Sequence, residues 1–195
     1  MDDNHLHSGK PPDADTSDEQ LYDNFRSTRD REAIGILLDR YADRLTLFVY
    51  GIVHQAQDAE EIMLDAFAEV ASLRTVFRGE SGFKTWLFAI AQKLAYQLLR
   101  KKRPAFLPLR EDLLLEADPP DVALLKEERN RLLYQALNEI KPEYREALYL
   151  MYFEELSNEE IQRVTGKSAK QVYNLINRGR AALREKLKGM GFDDA

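Results

Sequence analysis

Residues 157–178 are Ser-Asn-Glu-Glu-Ile-Gln-Arg-Val-Thr-Gly-Lys-Ser-Ala-Lys-Gln-Val-Tyr-Asn-Leu-Ile-Asn-Arg. The stretch contains two capping boxes, formed by Ser157 with Glu160 and by Ser168 with Gln171. In a capping box each of the two side chains binds the backbone N–H of the other residue, which fixes the start of a helix. Gly166 lies between the boxes and supplies a turn, because glycine adopts a positive φ at little cost. The stretch therefore predicts a short helix, a turn and a longer helix, which is helix-turn-helix geometry.

The longer helix has an apolar side and a polar side. Its predicted buried residues are Val172, Leu175, Ile176, Ala182, Leu183 and Leu187. In helix-turn-helix proteins the second helix enters the major groove with its first residues at the base edges, where Asn and Gln suit adenine and Arg and Lys suit guanine. The candidate DNA-contacting residues are thus Lys170, Gln171, Tyr173, Asn174, Asn177 and Arg178. An ordinary helical hairpin within a bundle is the alternative.

Three further helices are predicted upstream from apolar residues that recur every three or four positions. The first stripe lies within residues 33–53, and the second consists of Ile62, Ala66, Val70 and Leu73. Asp58 is the expected N-cap of the second helix. The glycine-containing segment 77–82 is predicted to be a loop, and a third helix follows from Phe83 until Pro104 ends it.

The chain divides into four segments by composition. Residues 1–18 are acidic and polar and predict a disordered tail. Residues 19–103 form a first helical domain, residues 104–127 are a proline-rich and acidic linker, and residues 128–190 form a second helical domain, with Pro142 in the first turn of one helix. With no strand pattern, the predicted fold class is all-α, in two small bundles of three to five helices each.

Charge is distributed unevenly along the chain. The net charge is −6, yet residues 74–103 carry eight basic groups and one acidic group, a net +7, and residues 163–188 carry the same balance. Two basic blocks separated by acidic segments indicate two contact surfaces for a polyanion. Solvated helix faces are the alternative explanation.

Several classes of function are disfavoured by what the sequence lacks. There are no cysteines, which excludes disulfides and thiolate metal sites and suits a reducing cytoplasm. The three histidines, His5, His7 and His54, form no metal-spaced cluster, and no phosphate-binding loop or nucleophile motif is present. We expect no enzyme activity, no metal and no cofactor. Neither a signal peptide nor a membrane-spanning segment is predicted, so no membrane insertion is expected.

Three stretches together resemble region 2 of the extracytoplasmic-function (ECF, group 4) sigma factors of the sigma-70 family. They are Asp58-Ala-Glu-Glu-Ile-Met-Leu-Asp-Ala-Phe-Ala-Glu-Val-Ala71, Phe77-Arg-Gly-Glu-Ser-Gly-Phe-Lys-Thr-Trp-Leu-Phe-Ala-Ile-Ala91 and Leu98-Leu-Arg-Lys-Lys-Arg103. Residues 137–187, including the helix-turn-helix, resemble region 4. The resemblance implies a cytoplasmic transcription initiation factor that binds bacterial core RNA polymerase and recognises promoter DNA at its minus-ten and minus-thirty-five elements.

The resemblance also assigns roles to individual residues. The helix at 58–73 would contact core polymerase through Asp58, Glu61, Asp65 and Glu69. The loop and helix that follow would hold the minus-ten element as a single strand through Arg78, Gly79, Ser81, Lys84, Lys93, Gln97, Arg100 and Lys101. The helix-turn-helix would contact the minus-thirty-five duplex. Lys93 and Gln97 stand where many relatives have Asn or Asp, and Ala71 stands where a Trp is common. Phe83 and Trp86 are either stacking platforms for bases or core residues.

Regulation in this family usually involves an anti-sigma factor, which is an expected partner here. The linker is either a spacer or a segment that follows the polymerase active-site cleft. Two other classes of protein compete with this assignment. A helix-turn-helix regulator would bind duplex DNA without polymerase, and a helical adaptor protein would leave both basic blocks unexplained. The motif at Phe77–Trp86 argues against the regulator.

Overall fold

In a computed structural model of the chain, the described residues are 16–73, 76–102, 120, 122 and 125–191. They contain eight α helices and no β strand, so the predicted all-α class with two domains is confirmed. The helices are α1 (Asp18–Thr28), α2 (Arg31–Val53), α3 (Ala56–Ala71), α4 (Phe83–Lys102), α5 (Glu128–Asn138), α6 (Pro142–Tyr152), α7 (Asn158–Thr165) and α8 (Ala169–Gly189). We call α1–α4 the N-terminal bundle and α5–α8 the C-terminal bundle.

Helix α1 is bound to the middle of α2 and to the start of α4. The carboxylate of Asp18 accepts hydrogen bonds from Arg40 Nη1, at 2.6 Å, and from the hydroxyl of Tyr41 on α2. Glu19 Oε1 accepts from the backbone N–H of Phe83, at 2.9 Å, and so satisfies a donor at the start of α4 that has no partner within its own helix. A negative side chain there also complements the helix dipole.

The aromatic residues around the start of α4 form a cluster within the core. The rings of Tyr22, Phe77, Phe83 and Trp86 lie with their centroids 5.4 to 6.1 Å apart. Phe83 is fully buried, and Trp86 is partly buried against the core. The structure therefore places Phe83 in the hydrophobic core, with no ring face available to a base, and packs the partly buried Trp86 against that core.

The expectation that Asp58 is an N-cap is wrong. The residue at that position is Gln55, and Asp58 lies within the first turn of α3. The preceding helix ends at His54 in a left-handed conformation with φ 60°, so the chain reverses within one further residue and α3 begins early. Asp58 is instead 2.5 Å from the ammonium of Lys102 at the end of α4. Leu73 lies beyond α3, which ends at Ala71.

The capping pattern of the C-terminal bundle is confirmed. Both predicted capping boxes are formed, Gly166 has φ 66°, and Pro142 occupies the first turn of α6. Gly179 allows α8 to approach α6 closely, because a Cβ at that position would lie 3.1 Å from Leu148 Cδ1. The helix-turn-helix is thus held against α6 by backbone proximity as well as by apolar contacts.

The two bundles pack against each other, α2 against α6 and α4 against α7. At the centre is the buried guanidinium of Arg145, which donates to the carbonyls of Leu137 (3.1 Å), Asn138 (2.9 Å) and Ile140 (3.2 Å) at the end of α5. It also donates to the carbonyl of Gly51 near the end of α2, at 2.9 Å. The last carbonyls of a helix accept no hydrogen bond from a backbone N–H of that helix. The single cation of Arg145 therefore satisfies the ends of two helices from different bundles.

We predict that Arg145→Met lowers the free energy of unfolding by at least about 2 kcal/mol, since the buried carbonyls at both helix ends lose a charged donor. Urea denaturation followed by circular dichroism measures the change. Arg131→Met is the matched control, because Arg131 forms an exposed ion pair with Glu128 on α5 and its removal should leave stability unchanged. Equal midpoints for both variants would contradict the role assigned to Arg145.

Candidate nucleic-acid and protein interfaces

Helix α8 presents one continuous polar face to solvent. Its buried residues, Val172, Ile176, Gly179 and Leu183, recur with helical spacing on the opposite side. All six predicted DNA-contacting residues are exposed: Lys170, Gln171, Tyr173, Asn174, Asn177 and Arg178. Tyr173 is 62% exposed, which is unusual for a large aromatic residue that serves only to pack.

Gln171 differs from the other five residues on this face. Its Oε1 accepts from the backbone N–H of Ser168, at 2.8 Å, and from the hydroxyl of the same residue. The side chain is therefore engaged in fixing the start of α8. This geometry makes Gln171 a residue that positions the helix, and leaves the other five side chains available to a ligand.

The second candidate surface combines the loop at 77–82 with one face of α4. Arg78 and Gly79 are exposed and Ser81 is half-buried, and Gly79 has φ 73°, a conformation that favours glycine. Along α4, Lys93, Arg100 and Lys101 are exposed and Gln97 is half-buried, with spacing that places all four on one side of the helix. Of the eight residues predicted to contact the minus-ten element, seven therefore lie in the loop at 77–82 or on this one face of α4.

Lys84 is the exception among the predicted minus-ten residues. Its ammonium donates to the backbone carbonyl of Glu154 in the C-terminal bundle, at 3.0 Å. Lys102, in the same basic run as Arg100 and Lys101, is likewise engaged, since it binds Asp58. Neither ammonium is available to phosphate in this arrangement.

Helix α3 carries an acidic surface with an apolar centre. Glu61 and Asp65 are exposed and Glu69 is partly exposed, whereas the side chain of Asp58 is only 14% exposed beside Lys102. Leu64 is 57% exposed between the acidic residues. It was not among the residues predicted to contact core polymerase. Its position could have been found from the buried stripe of Ile62, Ala66 and Val70, because residue 64 falls on the other side of the helix.

Glu154 is a fully buried carboxylate at the boundary between the bundles. Its Oε2 is 3.4 Å from Arg44 Nη1 on α2, and its Oε1 has no hydrogen-bond partner within the described residues. Burial raises the pKa of this carboxyl to about 7, although the positive charges of Arg44 and Lys84 act in the opposite direction.

A second buried carboxylate, Glu146 on α6, binds two side chains of α4. Its Oε1 accepts from Gln92 Nε2, at 2.6 Å, and its Oε2 accepts from the hydroxyl of Tyr96, at 3.0 Å. Burial raises the pKa of Glu146, and the two hydrogen bonds partly offset this effect. Two tyrosine hydroxyls of the C-terminal bundle complete the boundary, since Tyr134 donates to the carbonyl of Leu47 and Tyr149 to that of Arg44, both at 2.8 Å.

Both bundles match families of known proteins. Residues 37–105 match the family described as Sigma-70 region 2, and residues 130–183 match Sigma-70, region 4. The chain belongs to the sigma-70 family. Sigma factors recognise promoters for RNA polymerase and are not enzymes, and both statements hold for this chain.

Individual relatives place this sigma factor in the ECF group. It is similar to the ECF RNA polymerase sigma factor SigW of Bacillus subtilis, at 28% identity over 83% of this chain and 92% of the relative. It is also similar to the RNA polymerase sigma-H factor of Pseudomonas aeruginosa, at 28% identity over 88% of this chain and 94% of the relative. The fold resembles that of CnrH, solved in complex with the cytosolic domain of CnrY, with a TM-score of 0.61, 23% identity and coverage of 91% of this chain and 99% of that chain.

Within the described parts of this sigma factor, no helix combines the length and the apolar character needed to cross a bilayer. The same residues contain no group of three or more His, Cys, Asp or Glu side chains arranged to hold a metal ion.

The raised pKa of Glu154 predicts a dependence of stability on pH. An unfolded carboxyl has a pKa near 4.5, whereas the carboxyl of Glu154 in the native protein keeps its proton up to about pH 7. The contribution of this group to stability is therefore greatest below pH 4.5 and is lost as the pH rises through about 7. Glu154→Gln should therefore be more stable than the parent protein at pH 8 and should have no such advantage at pH 5. Urea denaturation at both pH values measures this difference.

Glu185→Gln is the control for that experiment, because Glu185 is exposed on α8 and is not among the charges that act on Glu154. It should shift stability equally at the two pH values. An equal difference at pH 5 and pH 8 for Glu154→Gln would show that the buried carboxyl does not titrate in this interval.

Proposed function

We propose that this protein is an ECF sigma factor of group 4 in which the two bundles bind different parts of the promoter. The segment 19–103 binds core polymerase and the minus-ten element, the segment 128–190 binds the minus-thirty-five duplex, and the segment 104–127 links them. The observation that carries the proposal is the polar face of α8, exposed along the first turns of a helix whose start is fixed by a capping box. Joining two weak DNA-binding modules raises the effective concentration of each for the same promoter.

The minus-thirty-five element is proposed to contact five residues of α8. Asn174 and Asn177 suit adenine, Arg178 and Lys170 suit guanine or phosphate, and the exposed ring of Tyr173 suits a thymine methyl group. Gln171 contributes indirectly by holding the first turn of the helix in place. The backbone N–H groups in the first turn of α8 that are not bound by Ser168 would also suit a phosphate.

The minus-ten element is proposed to lie along α4 and the loop before it. Gly79 and Ser81 offer close backbone approach to a base removed from the stack, and Arg78 supplies charge for phosphate. Lys93, Gln97, Arg100 and Lys101 then follow the strand along the exposed face of the helix. Because Phe83 is buried, apolar walls around an unstacked base must come from the edge of the aromatic cluster at Trp86.

Core polymerase is proposed to dock on α3. Leu64 would anchor the contact, and Glu61, Asp65 and Glu69 would surround it with negative charge that favours a basic partner surface and disfavours DNA. An anti-sigma factor is a proposed regulator, because the sigma factor RpoE of Bartonella quintana, which has a similar fold (TM-score 0.57, 21% identity), was solved in complex with the anti-sigma factor NepR. The exposed surface of α3 is a suitable place for it to bind. Transcription initiation places the protein in the cytoplasm.

The test of this function is reconstitution. The purified protein, added to core polymerase of the source organism with sheared genomic DNA, should produce transcripts that begin at a defined set of sites sharing two sequence elements. Leu64→Asp should abolish those transcripts by preventing docking. Transcripts identical to those from core polymerase alone would contradict the function.

We predict that Asn174→Ala or Arg178→Ala weakens discrimination at single positions of the minus-thirty-five element by about 1–3 kcal/mol, the usual value of a lost base contact. The measurement is holoenzyme binding to a promoter library in which each position is varied. Glu185→Ala, on an exposed later turn of α8, is the control and should leave base preference unchanged. Unchanged preference in the first two variants would remove those residues from base recognition.

We also predict that Lys101→Gln reduces the dependence of promoter affinity on salt, lowering the slope of log K against log salt by about one unit, because one phosphate contact is lost. Lys102→Gln is the matched control, since that ammonium is bound to Asp58. The measurement is holoenzyme affinity between 50 and 200 mM salt, concentrations chosen for the usual range of this effect. Equal slopes for both variants would show that Lys101 does not touch phosphate.

A further inference from the structure

The loop at 77–82 has no regular backbone structure to hold its shape. Residues 78–82 belong to neither a helix nor a strand, and Gly79 adopts φ 73°, a conformation that favours glycine. Gly82 accepts the first backbone hydrogen bond of α4, from Trp86 at 3.2 Å, so it occupies the N-cap position without a side chain that could cap the helix. The shape of the loop therefore depends on groups that hold its two ends.

Helix α1 supplies a hydrogen-bond acceptor at each end of the loop. Glu19 Oε1 accepts from the backbone N–H of Phe83, at 2.9 Å, immediately after the loop. The same oxygen would lie 3.8 Å from a Cβ at Gly82, so the carboxylate rests against the loop backbone. One turn further along α1, the hydroxyl of Tyr22 accepts from the backbone N–H of Phe77, at 3.4 Å. One face of α1 thus contacts both sides of the loop.

Ring packing joins the same two ends of the loop. Tyr22 is fully buried, and its ring centroid lies 5.8 Å from that of Phe77 before the loop. The centroid also lies 5.7 Å from that of Phe83 and 5.4 Å from that of Trp86, both on α4. Aromatic pairs at these separations are favourable beyond the area that they bury. One ring of α1 therefore bridges the start and the end of the loop.

Helix α1 is itself fixed at its first turn and can therefore act as a support. A capping box defines its start. Asp18 accepts hydrogen bonds from Arg40 and Tyr41 of α2, and the adjacent Glu19 caps α4. The match to Sigma-70 region 2 begins only at residue 37, so it assigns no role to α1.

We propose that Glu19 and Tyr22 are positioning residues for the minus-ten element, and that α1 sets the shape of the loop that receives an unstacked base. Both residues act through the loop backbone, which they hold on either side of Gly79 and Ser81. A loop that is already ordered loses less conformational entropy when the strand binds. The inference rests on the proposed function, because it assumes that the loop contacts the minus-ten strand.

The fluorescence of Trp86 gives a first test that requires no DNA. Trp86 is the only tryptophan of the chain, and its ring packs against Tyr22 and Phe77 beside the loop. Release of the loop from α1 should therefore expose the indole to solvent. In the free protein, Glu19→Ala should increase the quenching of this fluorescence by acrylamide and shift its emission to longer wavelength.

Two further variants identify the property of Glu19 that matters. Glutamine keeps an oxygen that can accept from the N–H of Phe83, whereas alanine removes both the acceptor and the charge. Glu19→Gln should therefore behave like the parent protein. Asp23→Ala is the matched control on α1, because Asp23 is exposed and its carboxylate pairs with Arg26 of the same helix. It should also match the parent protein.

The second test is holoenzyme binding to promoter libraries in which single positions of the minus-ten or the minus-thirty-five element are varied. Glu19→Ala should reduce discrimination at minus-ten positions by roughly tenfold, the lower end expected for one lost hydrogen bond to a charged group. Discrimination at minus-thirty-five positions should stay unchanged, because α8 takes no part in this contact. The second element thus shows, in the same assay, that the variant is folded and assembled with polymerase.

The outcomes distinguish the inference from the function beneath it. Unchanged fluorescence quenching or unchanged minus-ten preference in Glu19→Ala would overturn the positioning role and leave the proposed function intact. Equal losses at both promoter elements would also overturn it, as would a Glu19→Gln variant that behaves like Glu19→Ala. Absence of any minus-ten preference in the parent holoenzyme would instead overturn the proposed function, and the inference with it.

Discussion

The buried guanidinium of Arg145 is the contact on which the arrangement of the two bundles depends. It binds carbonyls at the ends of α5 and α2, helices that belong to different bundles. A buried cation without a carboxylate partner is costly unless several acceptors replace water, and the ends of two helices provide them. The pKa of neighbouring His54 is lowered to about 4 by burial and by the charge of Arg145, so the imidazole stays neutral beside the cation.

The remainder of the boundary is mixed in character. Phe48 and Tyr149 bring aromatic rings together with centroids 5.7 Å apart, while Glu146 and Glu154 carry buried carboxyl groups whose pKa values are raised. Buried ionisable groups add little net stability compared with apolar side chains of similar volume. The surfaces proposed for docking and recognition, on α3 and α8, lie outside this boundary and are exposed.

Local structure was predictable wherever local chemistry determines it. Both capping boxes, the left-handed Gly166 and the first-turn Pro142 are confirmed, because each depends on a few neighbouring residues. The polar face of α8 followed from the same pattern. The N-cap assigned to Asp58 was wrong because the position of a cap depends on where the preceding helix ends, and the left-handed His54 that ends α2 carries no sequence signal comparable to glycine.

Contacts between the bundles could not be predicted from the sequence. In α6 every residue from Arg145 to Leu150 is buried, so the helix has no polar face from which a single stripe could be recognised. Arg145 and Glu146 resemble solvated residues in the sequence, yet one binds helix ends and the other binds Gln92 and Tyr96. The contacts of Lys84 with Glu154 and of Lys102 with Asp58 could not be predicted either, because each joins residues that are far apart in the sequence. The exposed Leu64, by contrast, was recoverable from helical spacing alone.

The central claim is that the two bundles, which pack against each other in the structure, contact the two elements of one promoter when polymerase is bound. The most direct measurement is the distance between a fluorescent donor at Arg26 on α1 and an acceptor at Glu185 on α8, both exposed, in the free protein and after addition of core polymerase and promoter DNA. The account predicts efficient energy transfer in the free protein. In the complex the two dyes should move apart by tens of ångströms, and the energy transfer should be lost. Transfer that stays unchanged when the complex forms would contradict it.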